Sequence, residues 1–294
     1  MNDSNETLYP IILNSSNLVQ GSNGNSTYHY QFPAGSVKFK NSKVAVASVS
    51  MYYSWYNITS SNSNNTFQII WPIGAGTSTF TLTLPNGFYA VTDLNSYLQQ
   101  YCITNGLYLI NSSGQYVYYC EFITNSNYYS VQFNAYSIPT SLPAGWTQPS
   151  NWVGYPAVAY TPQLIVPSTN FRNVIGFNAG TYPSVQQTTT YSKLSDFTPQ
   201  VTPTQSVILA CTLLNNRYSN PGTVLYSFSP ASTTFGSLIQ SNPNQYSFVN
   251  IQDGNYPYFD IQFYSQDFQP LQINDTNLVV MLLIKQGHQG VISY

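Results

Sequence analysis

Apolar and polar positions alternate along most of this chain, in short runs punctuated by Asn, Gly and Pro. A period of two puts successive side chains on opposite faces of a strand. Strands are predicted over 8–13, 28–32, 67–71, 79–84, 116–123, 128–133, 163–166, 207–214, 223–228, 246–251, 259–264 and 278–284. One more falls within 37–55. There Val44, Val46 and Ser48 share one face and small residues the other, a near-continuous run that fits a strand covered on both sides. Turns rich in Asn, Gly and Pro separate these segments, as at 61–65, 111–114 and Asn220-Pro221-Gly222. Many short strands at this spacing indicate a sandwich or barrel, so the fold class is all-β.

The period changes twice. Over 92–102, Leu94, Tyr97, Leu98, Tyr101 and Cys102 form one apolar helical stripe. Thr92 is placed to cap it, Asp93 to favour its N-terminal end, and Asn105-Gly106 to stop it. A shorter helix is expected over 170–175, capped by Ser168 or Thr169 and ended by Gly176. The stretch 137–161 breaks both patterns, with Pro139, Pro143, Pro149 and Pro156 interleaved with aromatic rings. It reads as a stiff excursion whose Trp146, Trp152 and Tyr155 are candidate contacts for a neighbouring copy. No fixed-period repeat is evident.

Composition turns this β pattern toward association. Charged residues make up 5% of 294, and the formal net charge is -2. An ordinary domain carries about a quarter charged residues. The 16% aromatic and 43% hydrophobic content excludes disorder, because it supplies a core. Polarity is carried instead by Asn, Ser, Thr, Gln and 27 Tyr, whose contacts salt screens little. With so little repulsion between copies, the composition favours a molecule packed against neighbours. The start Met1-Asn2-Asp3-Ser4-Asn5-Glu6 has no secretory character, and the apolar run 278–284 is too short to span a bilayer. Cys102, Cys120 and Cys211, odd in number and widely spaced, read as small buried hydrophobes in a reducing compartment. The N-x-S/T triplets at Asn2, Asn5, Asn14, Asn25, Asn57, Asn64, Asn111 and Asn274 then follow from the Asn/Ser/Thr bias.

Chemistry is scarce. Asp253, Asp260, Asp267 and Asp275 could supply a glycosidase pair, but three sit in turn sequences and only Asp260, at a strand edge, is placed to meet a cation. His29 and His288 are the only histidines, and His288 lies in a tail-like Gly-His-Gln-Gly. No metal site, cofactor site or catalytic residue is therefore expected, and the chain reads as a non-enzyme. Gly74-Ala75-Gly76 is a turn rather than a phosphate loop. Lys38, Lys40 and Lys43 are too few to bind nucleic acid and read as a solvated turn. A Tyr- and Asn-rich surface does suit sugars. A jelly-roll carbohydrate-binding module for host attachment is the alternative function, to be recognised by a pocket with a ring face and two or three amides or carboxylates. A glycoside hydrolase resting on Asp253 and Asp260 comes third.

Several segments carry a resemblance. Phe39-Lys40-Asn41-Ser42-Lys43-Val44 and Met51-Tyr52-Tyr53-Ser54-Trp55-Tyr56-Asn57-Ile58 resemble the N-terminal signature of penton, or minor capsid, proteins of virophages and polinton-like viruses. In the same order follow similar segments at 84–98 (LPNGFYAVTDLNSYL), 213–221 (LLNNRYSNP), 251–256 (IQDGNY) and 275–285 (DTNLVVMLLIK). The resemblance implies a single jelly-roll β-sandwich over 1–294, discontinuous, with long loops or an inserted region and one or two short helices. The segment 137–199 is loop-rich and expected to be inserted or outward-facing. It further implies a homopentamer at each five-fold vertex of an icosahedral virion, among capsomers of a double jelly-roll major capsid protein. Such a subunit is made inside the host cell and is not secreted.

Overall fold

The computed structural model describes residues 7–21, 24–202, 204–230 and 233–286. The triplets at Asn2 and Asn5 and the tail around His288 lie outside the described residues. The chain divides into two compact units, one formed by the segments before Tyr56 and after Pro203, the other by Tyr56–Pro203. The segment 137–199 lies within the second.

The first unit opens with β1 (Leu8–Asn14), β2 (Thr27–Gln31), β3 (Val37–Phe39) and β4 (Lys43–Tyr52). The second unit contributes β5 (Thr66–Ile73), β6 (Gly76–Thr83), α1 (Val91–Thr104), β7 (Tyr108–Ile110), β8 (Tyr116–Tyr118), β9 (Cys120–Asn125) and β10 (Ser130–Ala135). It continues with β11 (Gln163–Val166), α2 (Phe171–Ile175), β12 (Gly180–Tyr182) and β13 (Tyr191–Leu194). The chain then returns to the first unit through β14 (Val207–Cys211), β15 (Val224–Phe228), β16 (Leu238–Ser241), β17 (Val249–Asn250), β18 (Gly254–Tyr256), β19 (Tyr258–Ser265) and β20 (Leu278–Lys285).

In the first unit the sheets run β1-β20-β4-β16 and β15-β14-β19-β2, with β17 added to β4 and β18 paired to β3. Every pairing within these two sheets is antiparallel. Counted along the chain, the eight main strands fall in the orders 1-8-3-6 and 5-4-7-2. Those are the interlocked sheets of a single jelly roll, so the expected all-β jelly-roll sandwich is what the topology shows. The 56–203 unit enters between the third and fourth of these strands.

The core of this sandwich follows the period-two pattern. Ile11 and Leu13 of β1 face Leu282 and Val280 of β20, and all four are buried. Tyr28 of β2 sits edge-on to Phe263 of β19 at 5.8 Å between ring centres. One expectation is corrected in β4. Its register against β20 shifts by one residue between Met281 and Leu282, so Val46 pairs Leu282 while Val49 pairs Val280. The bulge passes over Ala47 and flips the face that points inward. Val44 and Val46 are buried before it, and Val49 and Met51 after it, which leaves Ser48 only half-buried.

The second unit has its own core around the sheets β12-β11-β5-β6 and β13-β10-β9. Phe67 stacks on Phe171 at 4.8 Å, with Trp71, Phe122, Phe133 and Phe177 fully buried nearby. Helix α1 adds Leu94, Leu98 and Cys102 to this core, each large aliphatic contributing about 2 kcal/mol by burial. Asn95 ties the helix to β9, accepting a hydrogen bond from Phe122 N at 3.0 Å. The helix starts one residue earlier than the pattern implied. Ala90 occupies the cap position, and Asp93 reaches back to accept from Ala90 N at 2.8 Å. The helices stop where glycine was expected to stop them, with Gly106 and Gly176 at positive φ. A Cβ on Gly176 would lie 2.3 Å from the Phe197 carbonyl, so no other residue fits that turn.

Candidate interaction surfaces and cleft

Among the described residues no group of three or more His, Cys, Asp or Glu side chains comes together. Each Asp of the C-terminal series has its own structural partner. Asp253 accepts from Asn41 N, Asp267 from Gln266 and Asp275 from Asn277 N. Asp260 lies within β19 rather than at its edge, and its carboxylate stands 2.7 Å from His29 Nδ1, within hydrogen-bond distance. Register brings these two opposite each other across β2 and β19, and the Tyr258 ring packs on His29 at 4.7 Å. Lys38, Lys40 and Lys43 are all solvent-exposed.

The three cysteines are buried and unbonded. A hydrogen bond with Cys102, together with burial, pushes the Cys120 thiol well up, and burial raises Cys211 to about 12. Thiols held protonated in this way behave as small hydrophobes.

The outer face of the β1-β20-β4-β16 sheet is the first unusual surface. A sandwich normally turns polar residues outward. Here the register lines up Ile12 with Met281, Pro10 with Leu283 and Leu238 with Tyr52. Ile12 is 52% exposed and Val279 42%. Charge on this face is confined to one end, where Lys285 pairs with both Leu8 and Lys43. Ser48, Ser50 and Gln240 lie on the same face, so the exposed apolar side chains concentrate on β1 and β20, a candidate association surface. Its sequence signal was the run 278–284, which is apolar on both alternating faces although only one of them meets the core.

In the second unit Trp146, Trp152 and Tyr155 pack half-buried on that unit's own core. Trp152 meets Trp71 edge-on at 6.5 Å and Tyr155 at 5.2 Å, and Tyr155 donates to Gln148 at 2.6 Å. These contacts hold the proline-rich excursion in place. Far more open are Tyr128 and Tyr129, 68% and 73% exposed at the turn between β9 and β10. The pattern placed Tyr128 in a strand, but the strand begins at Ser130. Tyr129 holds φ +50, uncommon for an aromatic residue.

The same unit holds a cleft of about 270 Å³ lined by Asn57, Asn62, Asn64, Asn170, Asn173, Gln200 and Val174. Its floor is fixed by two buried amides. Asn57 donates to Tyr89 O at 2.8 Å and Val201 O at 2.6 Å, and accepts from Tyr89 N at 2.8 Å. Asn64 donates to Asn57 O and accepts from Thr59 N, both at 2.8 Å. Both amides are engaged inside the fold, so neither can carry a glycan in this structure. The cleft has the amides expected of a sugar site and lacks the ring face.

Tyrosine dominates titration in this chain. Burial and the nearby Asp275 push Tyr28 up to about 12; burial, with a hydrogen bond to Glu121, does the same for Tyr136. The folded pKa then exceeds the unfolded value, so this stability is intact below pH 10 and is lost as pH rises toward 12. For the fully buried Tyr28 the loss is about 1.4 kcal/mol per pH unit across that window, and for the half-buried Tyr136 it is smaller because solvent screens it. Urea midpoints followed from neutral pH upward are expected to fall steeply above pH 10. A flat profile to about pH 12 would mean that these tyrosines ionise normally in the fold.

No protein-family model matches the chain, and no curated protein matches it. Among solved structures, the chain is similar to the selenomethionine-labelled mavirus penton protein. The TM-score is 0.44 at 11% identity, covering 97% of this chain and 100% of that one. It is also similar to a chain in the cryo-EM structure of the Sputnik virophage, with TM-score 0.37 at 13% identity over 99% of this chain and 100% of that one.

Proposed function

We propose that this chain is a structural capsid protein, a penton subunit that forms homopentamers and closes the five-fold vertices of an icosahedral virion. The observation that carries the reading is the apolar outer face of the β1-β20-β4-β16 sheet on a molecule with 5% charged residues. A closed ring needs one patch to meet a different patch on the next copy. The outer side of the β15-β14-β19-β2 sheet supplies a contrasting surface, with Tyr258 exposed, Tyr264 and Gln262 half-buried, and the Asp260–His29 pair between them. Tyr-rich, charge-poor surfaces are the material of protein interfaces. The jelly-roll topology and the ordered resemblance of the segments between 39 and 285 support the same role. The neighbours in the shell are then a double jelly-roll major capsid protein, and the subunit acts by packing rather than by catalysis.

Light scattering after size-exclusion chromatography tests this. The expected species has five times the 32.8 kDa chain mass. A monomer that also fails to join shells when mixed with the purified major capsid protein sinks the proposal.

A further inference from the structure

We propose that the amide-lined cleft of the second unit binds a single neutral sugar ring. No residue lining it carries charge, so nothing there stabilises a phosphate, a carboxylate or a metal ion. Val174 is its sole apolar wall, so a lipid or flat aromatic ligand finds no partner surface. What the cleft offers is amide. Asn62, Asn173 and Gln200 have no hydrogen-bond partner for their side chains among the described residues, and Asn170 uses only its nitrogen, on Asn62 O at 2.9 Å. Each amide both donates and accepts, which matches a hydroxyl that does the same. A ring bearing several hydroxyls satisfies three or four such groups at once. An extended peptide needs a sheet edge for its backbone, and this cleft lies against α2 and the turn after Ile58.

Part of the site is fixed before any ligand arrives, while Asn62, Asn170 and Gln200 reach solvent. Asn57 and Asn64 are pinned by hydrogen bonds at 2.6–2.8 Å, and Asn173 O accepts from Gln200 N at 2.7 Å. That last bond sets the backbones of the two unpartnered amides side by side, and fixing each side chain on binding still costs conformational entropy. With one aliphatic wall, a single site is weak, and affinity for a surface carrying many copies of the sugar comes from multivalency.

The full chain is screened against an array of neutral and acidic glycans, and the best neutral sugar is then titrated by saturation-transfer NMR. Saturable binding is expected, weakened about tenfold in Asn173→Ala and again in Gln200→Ala, the effect of about one or two lost hydrogen bonds each. Both variants keep the wild-type melting temperature, because these side chains hold nothing else. Binding to no neutral glycan, equal binding by both variants, or a preference for acidic glycans or peptides overturns the assignment. The inference stands apart from the capsid reading. A pentamer without sugar binding removes the cleft assignment alone, and sugar binding by a monomer that also fails to join shells removes the pentamer alone.

Discussion

Asn57→Ala is expected to lower the stability of the second unit by about 3–5 kcal/mol, although it deletes one small polar side chain. The amide serves three backbone groups at once: the carbonyls of Tyr89 and Val201 and the N–H of Tyr89. Asn57 is 4% exposed, so water does not replace the amide. Each buried group left without a partner costs about 1–3 kcal/mol. The segments it joins are far apart in sequence, so the loss loosens the entry to α1 and the end of the unit together. For a unit of this size the melting temperature falls by about 10 °C. Calorimetry of the variant checks this, and a shift of only about 2 °C would show that the three groups find other partners.

For the pentamer proposed above, lysine at Ile12 or Val279 is expected to abolish assembly while leaving the subunit folded. Both side chains point away from the core, and single surface changes usually stay within about 0.5 kcal/mol. In an assembled ring the same ammonium is buried without a partner, at a cost of several kcal/mol per interface. A penalty of about 4 kcal/mol weakens association about a thousandfold, and the ring repeats it at every contact. Light scattering should then report the mass of one chain for Ile12→Lys and Val279→Lys, with an unchanged circular dichroism spectrum. Retention of the wild-type mass by both would move the interface to another face.

Much of the fold was legible because strands announce themselves locally. Gln163–Val166 falls where alternation placed it, and β1, β5, β14, β19 and β20 agree within two or three residues at each end. Short edge pieces escaped: β12, β13 and β16 have three or four residues each and too little alternation to register. The bulge at Ala47 was invisible because it depends on the β20 register, a partner more than two hundred residues away. The cleft escaped for a similar reason. Its asparagines stand near 57–64 and 170–173 in a chain where Asn is common everywhere, and only folding brings them to one wall. Asp260 and His29 were each noticed, but nothing local says that β2 pairs with β19.

The place of the 56–203 unit in the chain orders events during synthesis. β1 leaves the ribosome long before β20, its one sheet partner among the described residues. At ordinary elongation rates that wait is tens of seconds. Within it, the second unit is translated whole and has every strand partner it needs. It can therefore close first and shorten the loop that the jelly roll must later bridge. Meanwhile the alternating Leu8, Ile11, Ile12 and Leu13 stay exposed. A nascent chain with its first strand waiting is the state a chaperone would meet.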